Sequence, residues 1–230
     1  MRIVAFGDSI TYGNGSTDKL GFIVKLERKL KEFNSSSKII NRGLNAESTD
    51  WAILRVKRVV EEEEPKIMLI MEGINDIILH KKEDPVSNLR KLVQTCKKNN
   101  VKPYISTILP TQELFSLMGR MSFSVSNIIN KKYPRFIKSN NYYSEQIKII
   151  NQKIKLMAEE EGIICVDLFA EFSNLDLNKV LNDKIHPNDS GYEIIANKWA
   201  EVLKHELVES NEDIKHIEEE TDKWELKNES

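Results

Sequence analysis

Residues 2–11 read RIVAFGDSIT, an apolar run that stops at a glycine and is followed at once by an acid and a serine. Arg2 to Phe6 is rich in branched and aromatic side chains without polar alternation, the pattern of a short strand buried on both faces. Gly7 ends it as a turn would. In open α/β sheets the rim at the C-terminal ends of such strands is where ligands bind, so Ser9 stands where a reactive group would be useful. Asp8 and Ser9 are also good helix caps, and this stretch alone does not separate a cap from a nucleophile.

The rest of the chain repeats the alternation. After RIVAF at 2–6, apolar runs follow at 38–43 (KIINRG), 65–73 (PKIMLIMEG), 101–109 (VKPYISTIL) and 162–168 (GIICVDL). Helical patterns separate them at about 20–33, 47–63, 86–99 and 145–161, with a last one at about 189–208. Near-continuous apolar strands alternating with helices imply a parallel sheet covered on both faces, and right-handed crossovers leave few topologies. The expected fold is α/β, a flavodoxin-like three-layer α/β/α sandwich whose five-stranded parallel sheet runs in the order 2-1-3-4-5.

Composition sets the frame. At 230 residues, 40% hydrophobic and 30% charged, the chain is long enough for one large domain, expected over 1–208. Lys and Arg total 34 against 36 Asp and Glu, a formal net charge of -2, which excludes the broad basic surface that nucleic acid demands. No stretch approaches about 18 uninterrupted apolar residues, so no integral membrane segment is expected. The first strand begins at Arg2 and leaves no room for a leader, which points to the cytoplasm. Cys96 in a helical stretch and Cys165 in a strand-like one suit packed thiols better than a disulfide or a metal site.

Two regions break the alternation. Residues 111–143 are too long for an ordinary connection and are read as an insertion with helices of its own, emerging on the same rim as Ser9. Its first half offers Leu114, Phe115, Leu117, Met118, Met121, Phe123 and Val125, more apolar surface than a solvated loop needs. A lid or acyl-pocket wall is expected there, with Phe115, Met118 and Met121 touching substrate together with Asp8. Its second half carries Lys131, Lys132, Arg135 and Lys138, a solvated basic face or a contact for an anionic substrate group. The second region is the acidic tail 209–230, where Ile214, Ile217, Thr221 and Trp224 recur at helical spacing. It is read as an amphipathic helix or a frayed end, packed on its own domain or on a second copy, which leaves a homo-oligomer open. The EEEE at 61–64 is a solvated helix end, since adjacent residues on a helix do not share a face.

The strand ends become informative together. The second strand ends in Asn41-Arg42-Gly43, the third in Gly73-Ile74-Asn75-Asp76, and after the fifth comes NDKIHPNDSGY with Asp183 three residues before His186. In the expected topology these meet on one rim with Ser9. Serine needs a neighbouring base, and imidazole, with a free pKa of about 6.5, is a suitable one. Asp183 can hold the ring of His186 in the required tautomer. The backbone N–H groups of Ser9 and Gly43 and the side-chain amide of Asn75 can receive the tetrahedral oxyanion, with Gly43 allowing close approach for want of a Cβ. His80, His205 and His216 have no such neighbourhood and are assigned to surface or packing. The set calls for no metal and no cofactor.

These blocks resemble those of the SGNH hydrolases, the GDSL esterase/lipase family: GDSITYG, NRGLNAEST, GIND and DKIHPNDSGY. The resemblance runs from residue 1 to about 207, the insertion excepted. It implies a serine esterase or acylhydrolase with nucleophile Ser9, base His186 oriented by Asp183, and oxyanion donors Ser9, Gly43 and Asn75. It implies a small-molecule ester substrate, of lipase, lysophospholipase or short-chain type, with carbohydrate O-acetyl esters and thioesters as alternatives. Members often carry a second glycine and an aspartate where this chain has Ala46 and Glu47. Rival classes fit less well. A flavin module would place phosphate where Asp8 repels it, a receiver domain would want more acids at the first strand, and a non-catalytic carbohydrate binder has no use for the four reactive groups.

Overall fold

The computed structural model describes residues 1–32, 37–79, 81, 84–112, 140–204 and 206–207. Its strands are β1 (Arg2–Gly7), β2 (Lys38–Gly43), β3 (Ile67–Met71), β4 (Lys102–Ser106) and β5 (Cys165–Val166). All pairings are parallel and the order is β2-β1-β3-β4-β5, as the alternation predicts. Helices α1 (Ser9–Tyr12), α2 (Ile23–Lys31), α3 (Thr49–Glu63), α4 (Ile74–Ile78), α5 (Pro85–Lys98), α6 (Asn140–Glu160), α7 (Leu168–Ser173) and α8 (Leu177–Val180) connect them, and α9 spans 189–204.

The period-two geometry of a strand divides the core between the two faces of the sheet. Ile3, Ala5, Leu69 and Met71 pack with Leu26 and Leu30 of α2 and with Trp199 and Leu203 of α9. Val4, Phe6, Met68 and Ile70 pack with Val56 of α3, Leu89 of α5 and Ile154 of α6. Each such side chain, fully buried, contributes about 1.5–3 kcal/mol of transfer free energy, which is why the strands read as unbroken apolar runs. Register fixes the rim: Gly7 stands opposite both Gly43 and Met71, and Ile70 opposite Ile105.

Three strands are shorter than their apolar runs, each for a local reason. β3 starts only at Ile67, two residues past Pro65, which has no N–H to donate, and stops before Gly73, whose φ of 117° begins α4. β4 stops at Ser106 because Asn151 of α6 takes over as partner, accepting from Ile108 N at 2.8 Å and donating to Ile108 O at 2.9 Å. β5 keeps only two residues because Asp167 accepts from Ala170 N at 3.1 Å and caps α7. A short outer strand also limits edge-to-edge pairing. The expected insertion and its Phe115, Met118 and Met121, and the tail 209–230, fall largely or wholly outside the described residues. No helix among the described residues is long and apolar enough to cross a membrane.

Candidate active site

The turn after β1 uses both of its polar residues. Asp8 caps α1, its carboxylate accepting from Ile10 N at 2.8 Å, and Ser9 follows as the first helical residue. The cap and the nucleophile are therefore neighbours, not alternatives. Ser9 Oγ lies 2.9 Å from His186 Nε2, and His186 Nδ1 lies 2.7 Å from Asp183 Oδ2. The other oxygen of Asp183 accepts from Ile185 N at 2.7 Å and His186 N at 2.8 Å. Partial burial works to raise the pKa of Asp183, but the bonds from the His186 ring and from the two backbone N–H groups hold it below the ordinary carboxylate value. An anionic Asp183 requires Nδ1 to carry the ring proton and leaves Nε2 free to accept from Ser9.

The loop bearing Asp183 and His186 is closed on itself and clamped to α1. Leu181 bridges Pro187, and Asn182 N donates to His186 O at 2.8 Å. Tyr192, buried at the start of α9, donates toward Ile10 O at 3.0 Å and Asn14 O at 2.6 Å. Gly15 passes beneath the loop with φ 95°, and a Cβ there would stand 2.4 Å from Pro187 O and 3.1 Å from His186 Cβ. Only glycine fits.

The opposite wall comes from β2 and β3. Asn75 Nδ2 donates to Glu47 O at 2.7 Å, which orients the amide and leaves its second hydrogen for another acceptor. Gly43 N donates to Asn41 Oδ1 at 2.8 Å, so this N–H is shared with a side chain of its own strand. The empty Cβ position of Gly43 faces α1, where a methyl group would stand 2.2 Å from Tyr12 N and 2.6 Å from Thr11 C. The glycine at this position is therefore required by helix packing; the expectation that it clears space for substrate gave the wrong reason.

The two departures from the family pattern are both accommodated here. Ala46 takes a φ of 58°, the left-handed region where glycine is at ease and alanine is strained. Glu47 is buried in an ion pair with Arg55, whose Nε donates to Glu47 Oε1 at 2.6 Å. Arg55 also donates to Arg42 O at 2.9 Å and lies 3.9 Å over the ring of Phe6, so one side chain ties together β1, β2 and the wall. Asp76 closes the other side, accepting from Thr49 N at 3.0 Å and Thr49 Oγ1 at 2.6 Å. Arg55 lies outside every motif block, and Asn41, Thr49 and Tyr192, although inside the blocks, have roles that no local spacing marks.

Asp8 is 2% exposed and gives one carboxylate oxygen to the cap, so little of it is left on the surface for the substrate contact expected of it. Burial above all, with the charges of Glu47 and Asp76 and against the bond from Ile10, pushes its pKa up to about 7. Among the described residues no group of three His, Cys, Asp or Glu side chains is arranged to hold a metal ion. A cavity of about 430 Å³, which no triad residue lines, is formed by Tyr12, Asn14, Thr17, Lys19 and, next in sequence to Asp183, Asn182, among others.

Comparison with known proteins shows the family and the fold. The description of the GDSL-like lipase/acylhydrolase family matches residues 5–194. The fold is similar to an acetyl xylan esterase, AlAXEase, with a TM-score of 0.68 at 19% identity over 88% of this chain and 100% of that one. It is similar too to a lipase/acylhydrolase from Enterococcus faecalis, with a TM-score of 0.67 at 18% identity over 89% and 96% of the two chains. Among curated proteins the chain resembles the uncharacterized lipoprotein YqeF of Bacillus subtilis, at 31% identity over 122 residues. That match takes in 48% of this chain and 49% of the relative, about half the length of each.

Proposed function

The chain belongs to the GDSL-like lipase/acylhydrolase family, and from that premise we propose that it cleaves carboxylic esters through an acyl-enzyme formed on Ser9. The observation that carries the reading is the unbroken relay from Ser9 Oγ through His186 to Asp183, at 2.9 and 2.7 Å. As Ser9 Oγ attacks the ester carbon, His186 Nε2 takes its proton, and Asp183 stabilises the imidazolium that forms. The carbonyl oxygen becomes an oxyanion received by Ser9 N and the spare hydrogen of Asn75 Nδ2, with Gly43 N joining them as it turns from Asn41 Oδ1. Collapse breaks the bond to the alcohol, which leaves with the proton from His186. Water repeats the sequence on the acyl-enzyme and releases the acid.

A second reading concerns the alcohol. A cavity that runs from the end of α1 to Asn182, the residue before Asp183, is lined by a tyrosine, two asparagines, a threonine and a lysine, groups suited to a polyhydroxylated partner. That favours an O-acetylated sugar, in line with the similarity to acetyl xylan esterases, over a long-chain lipid.

A serine-directed fluorophosphonate tests the first reading. Stoichiometric labelling at Ser9, lost together with p-nitrophenyl acetate hydrolysis in Ser9→Ala, is expected, and activity is expected to persist in excess EDTA. Labelling at another serine would overturn it. A panel of acetylated sugars, lysophospholipids, thioesters and simple esters of rising chain length decides the second.

A further inference from the structure

Behind the oxyanion wall, carboxyl groups from separate segments crowd one spot: Asp8 after β1, Glu47 before α3, Glu72 after β3 and Asp76 in α4. Three of them are matched. Glu47 is held by Arg55, Asp76 by Thr49, and Asp8 by Ile10 N. Glu72 is different: it is 4% exposed, and neither of its buried carboxyl oxygens has a hydrogen-bond partner among the described residues. It lines, with Asp8, Ile10, Ile74, Ser106 and Thr107, a cavity of about 20 Å³. That is room for about one water molecule, and a water needs polar neighbours such as these two acids.

A carboxylate in this position would have three acidic neighbours, and Arg55, the cation bound to the cluster, is already spent on Glu47. Buried charge without a partner is shed by taking up a proton. Burial first, then the charges of Asp8 and Glu47 and the close approach of the Glu47 side chain, drive the pKa of Glu72 well above the ordinary value.

Resting on the Ser9 acyl-enzyme reading, we propose that Glu72 is a positioning residue, carried as a neutral acid that donates through a water in this cavity to Asp8. The helix bearing Ser9 then keeps an anionic cap, and the oxyanion wall lies over one negative charge shared by the pair. Loss of the Glu72 proton at alkaline pH places a second negative charge beneath the developing oxyanion and lowers kcat. The groups facing the pair are Asp8 from the β1–α1 turn, Glu47 and Arg55 from the α3 side, Asp76 from α4, Tyr192 from α9, and the neutral hydroxyls of Ser106 and Thr107 at the end of β4. Within this set Glu72 is the acid matched by no cation, hydroxyl or backbone N–H, with only another carboxyl group, that of Glu47, close to its side chain, and so the group that holds the proton.

The test is the pH profile of kcat on a short ester, compared between wild type and Glu72→Gln, whose amide keeps the shape and a donor. Wild type is expected to lose about tenfold in kcat between about pH 7 and about pH 10, while in Glu72→Gln the same ratio changes less than about twofold. Equal alkaline falls in both proteins, or none in wild type, overturn the proposal. If Glu72→Gln does not fold, infrared spectra of wild type decide: a protonated carboxyl band present at neutral pH must vanish with the midpoint of the fall in kcat. Its absence at neutral pH overturns the proposal as well. Fluorophosphonate labelling at neutral pH separates the two levels. Failure to label Ser9 removes the acyl-enzyme reading and this proposal together, whereas normal labelling with coincident pH profiles removes the assignment of Glu72 alone.

Discussion

Asp183→Asn changes one atom, and the structure dictates which way the new amide must face. Oδ1 of Asp183 accepts from Ile185 N at 2.7 Å and His186 N at 2.8 Å, so the amide oxygen is held there. The amide nitrogen is thereby turned to His186 Nδ1, 2.7 Å from the remaining oxygen. A flipped amide would set its hydrogens against two backbone N–H groups. With a donor pointing at it, Nδ1 must offer its lone pair and Nε2 must carry the proton, so the ring donates across the 2.9 Å to Ser9 instead of accepting from it. The nucleophile loses its base. A wrong tautomer of this kind costs about ten-thousandfold in kcat, or about 5.5 kcal/mol at about 1.36 kcal/mol per factor of ten. Folding is expected to change little, because both backbone hydrogen bonds survive, whereas Asp183→Ala gives them up at about 1 kcal/mol each. Steady-state kcat on p-nitrophenyl acetate, with thermal unfolding of the same samples followed by circular dichroism, measures both quantities. A folded Asp183→Asn protein that keeps more than about a tenth of wild-type kcat would refute the tautomer argument.

Asn75→Ala removes one oxyanion donor and is expected to cost about 100- to 1,000-fold in kcat with an unchanged fold, leaving a rate that single-turnover assays still resolve. Ala46→Gly relieves a left-handed alanine at a cost in chain entropy, for a net gain of about 0.5–1 kcal/mol and a Tm higher by about 1–4 °C in calorimetry. The pKa of Asp8 rises on folding from 3.8 to about 7, so the stability linked to it is complete below 3.8 and is lost as pH rises through 7. Urea unfolding at a series of pH values is therefore expected to give a flatter profile for Asp8→Asn than for wild type, and parallel profiles would contradict the assignment.

The parts of the fold that sequence made legible are those in which one residue type has one physical use. Strands buried on both faces must be continuously apolar, so β1 to β4 could be placed to within a few residues, and their alternation with helices narrowed the sheet order to a few, of which the expected one is found. Asp183 and His186, three residues apart after the last strand, could be read because the spacing lets one loop present both groups. What stayed hidden is what depends on contacts distant in sequence. Asn151 ends β4 from 43 residues away, and Arg55 binds the carbonyl of Arg42 while stacking on Phe6, with nothing local to mark either role. Gly43 was found for the right motif and the wrong cause, since the atoms that forbid a Cβ there belong to the helix of the nucleophile.

The site is held from below by groups that fold at a cost. Asp8 and Glu72 are both pushed toward their neutral forms by burial, so each makes the native state less favourable at neutral pH than a shape-matched amide would. Substituting Asp8 by its amide should therefore stabilise the protein above pH 3.8, its ordinary value, with a gain that grows toward pH 7, and Glu72→Gln should stabilise it above pH 4.5, the ordinary value for Glu72. An acid that destabilises its own fold is retained where the charge does something the amide does not. For Asp8 that is the cap on Ile10 N: an amide oxygen could still accept, but without the negative charge that complements a helix N-terminus. The two amides should thus part company in function. Asp8→Asn removes the charge that the pair takes up as pH rises through about 7, and should lower kcat from the neutral range upward. Glu72→Gln leaves that charge in place and should matter only where Glu72 would ionise. Stability gains in both variants, with the neutral-range kcat loss confined to Asp8→Asn, would show that the proton resides on Glu72 and the charge on Asp8. The reverse pattern would exchange their roles.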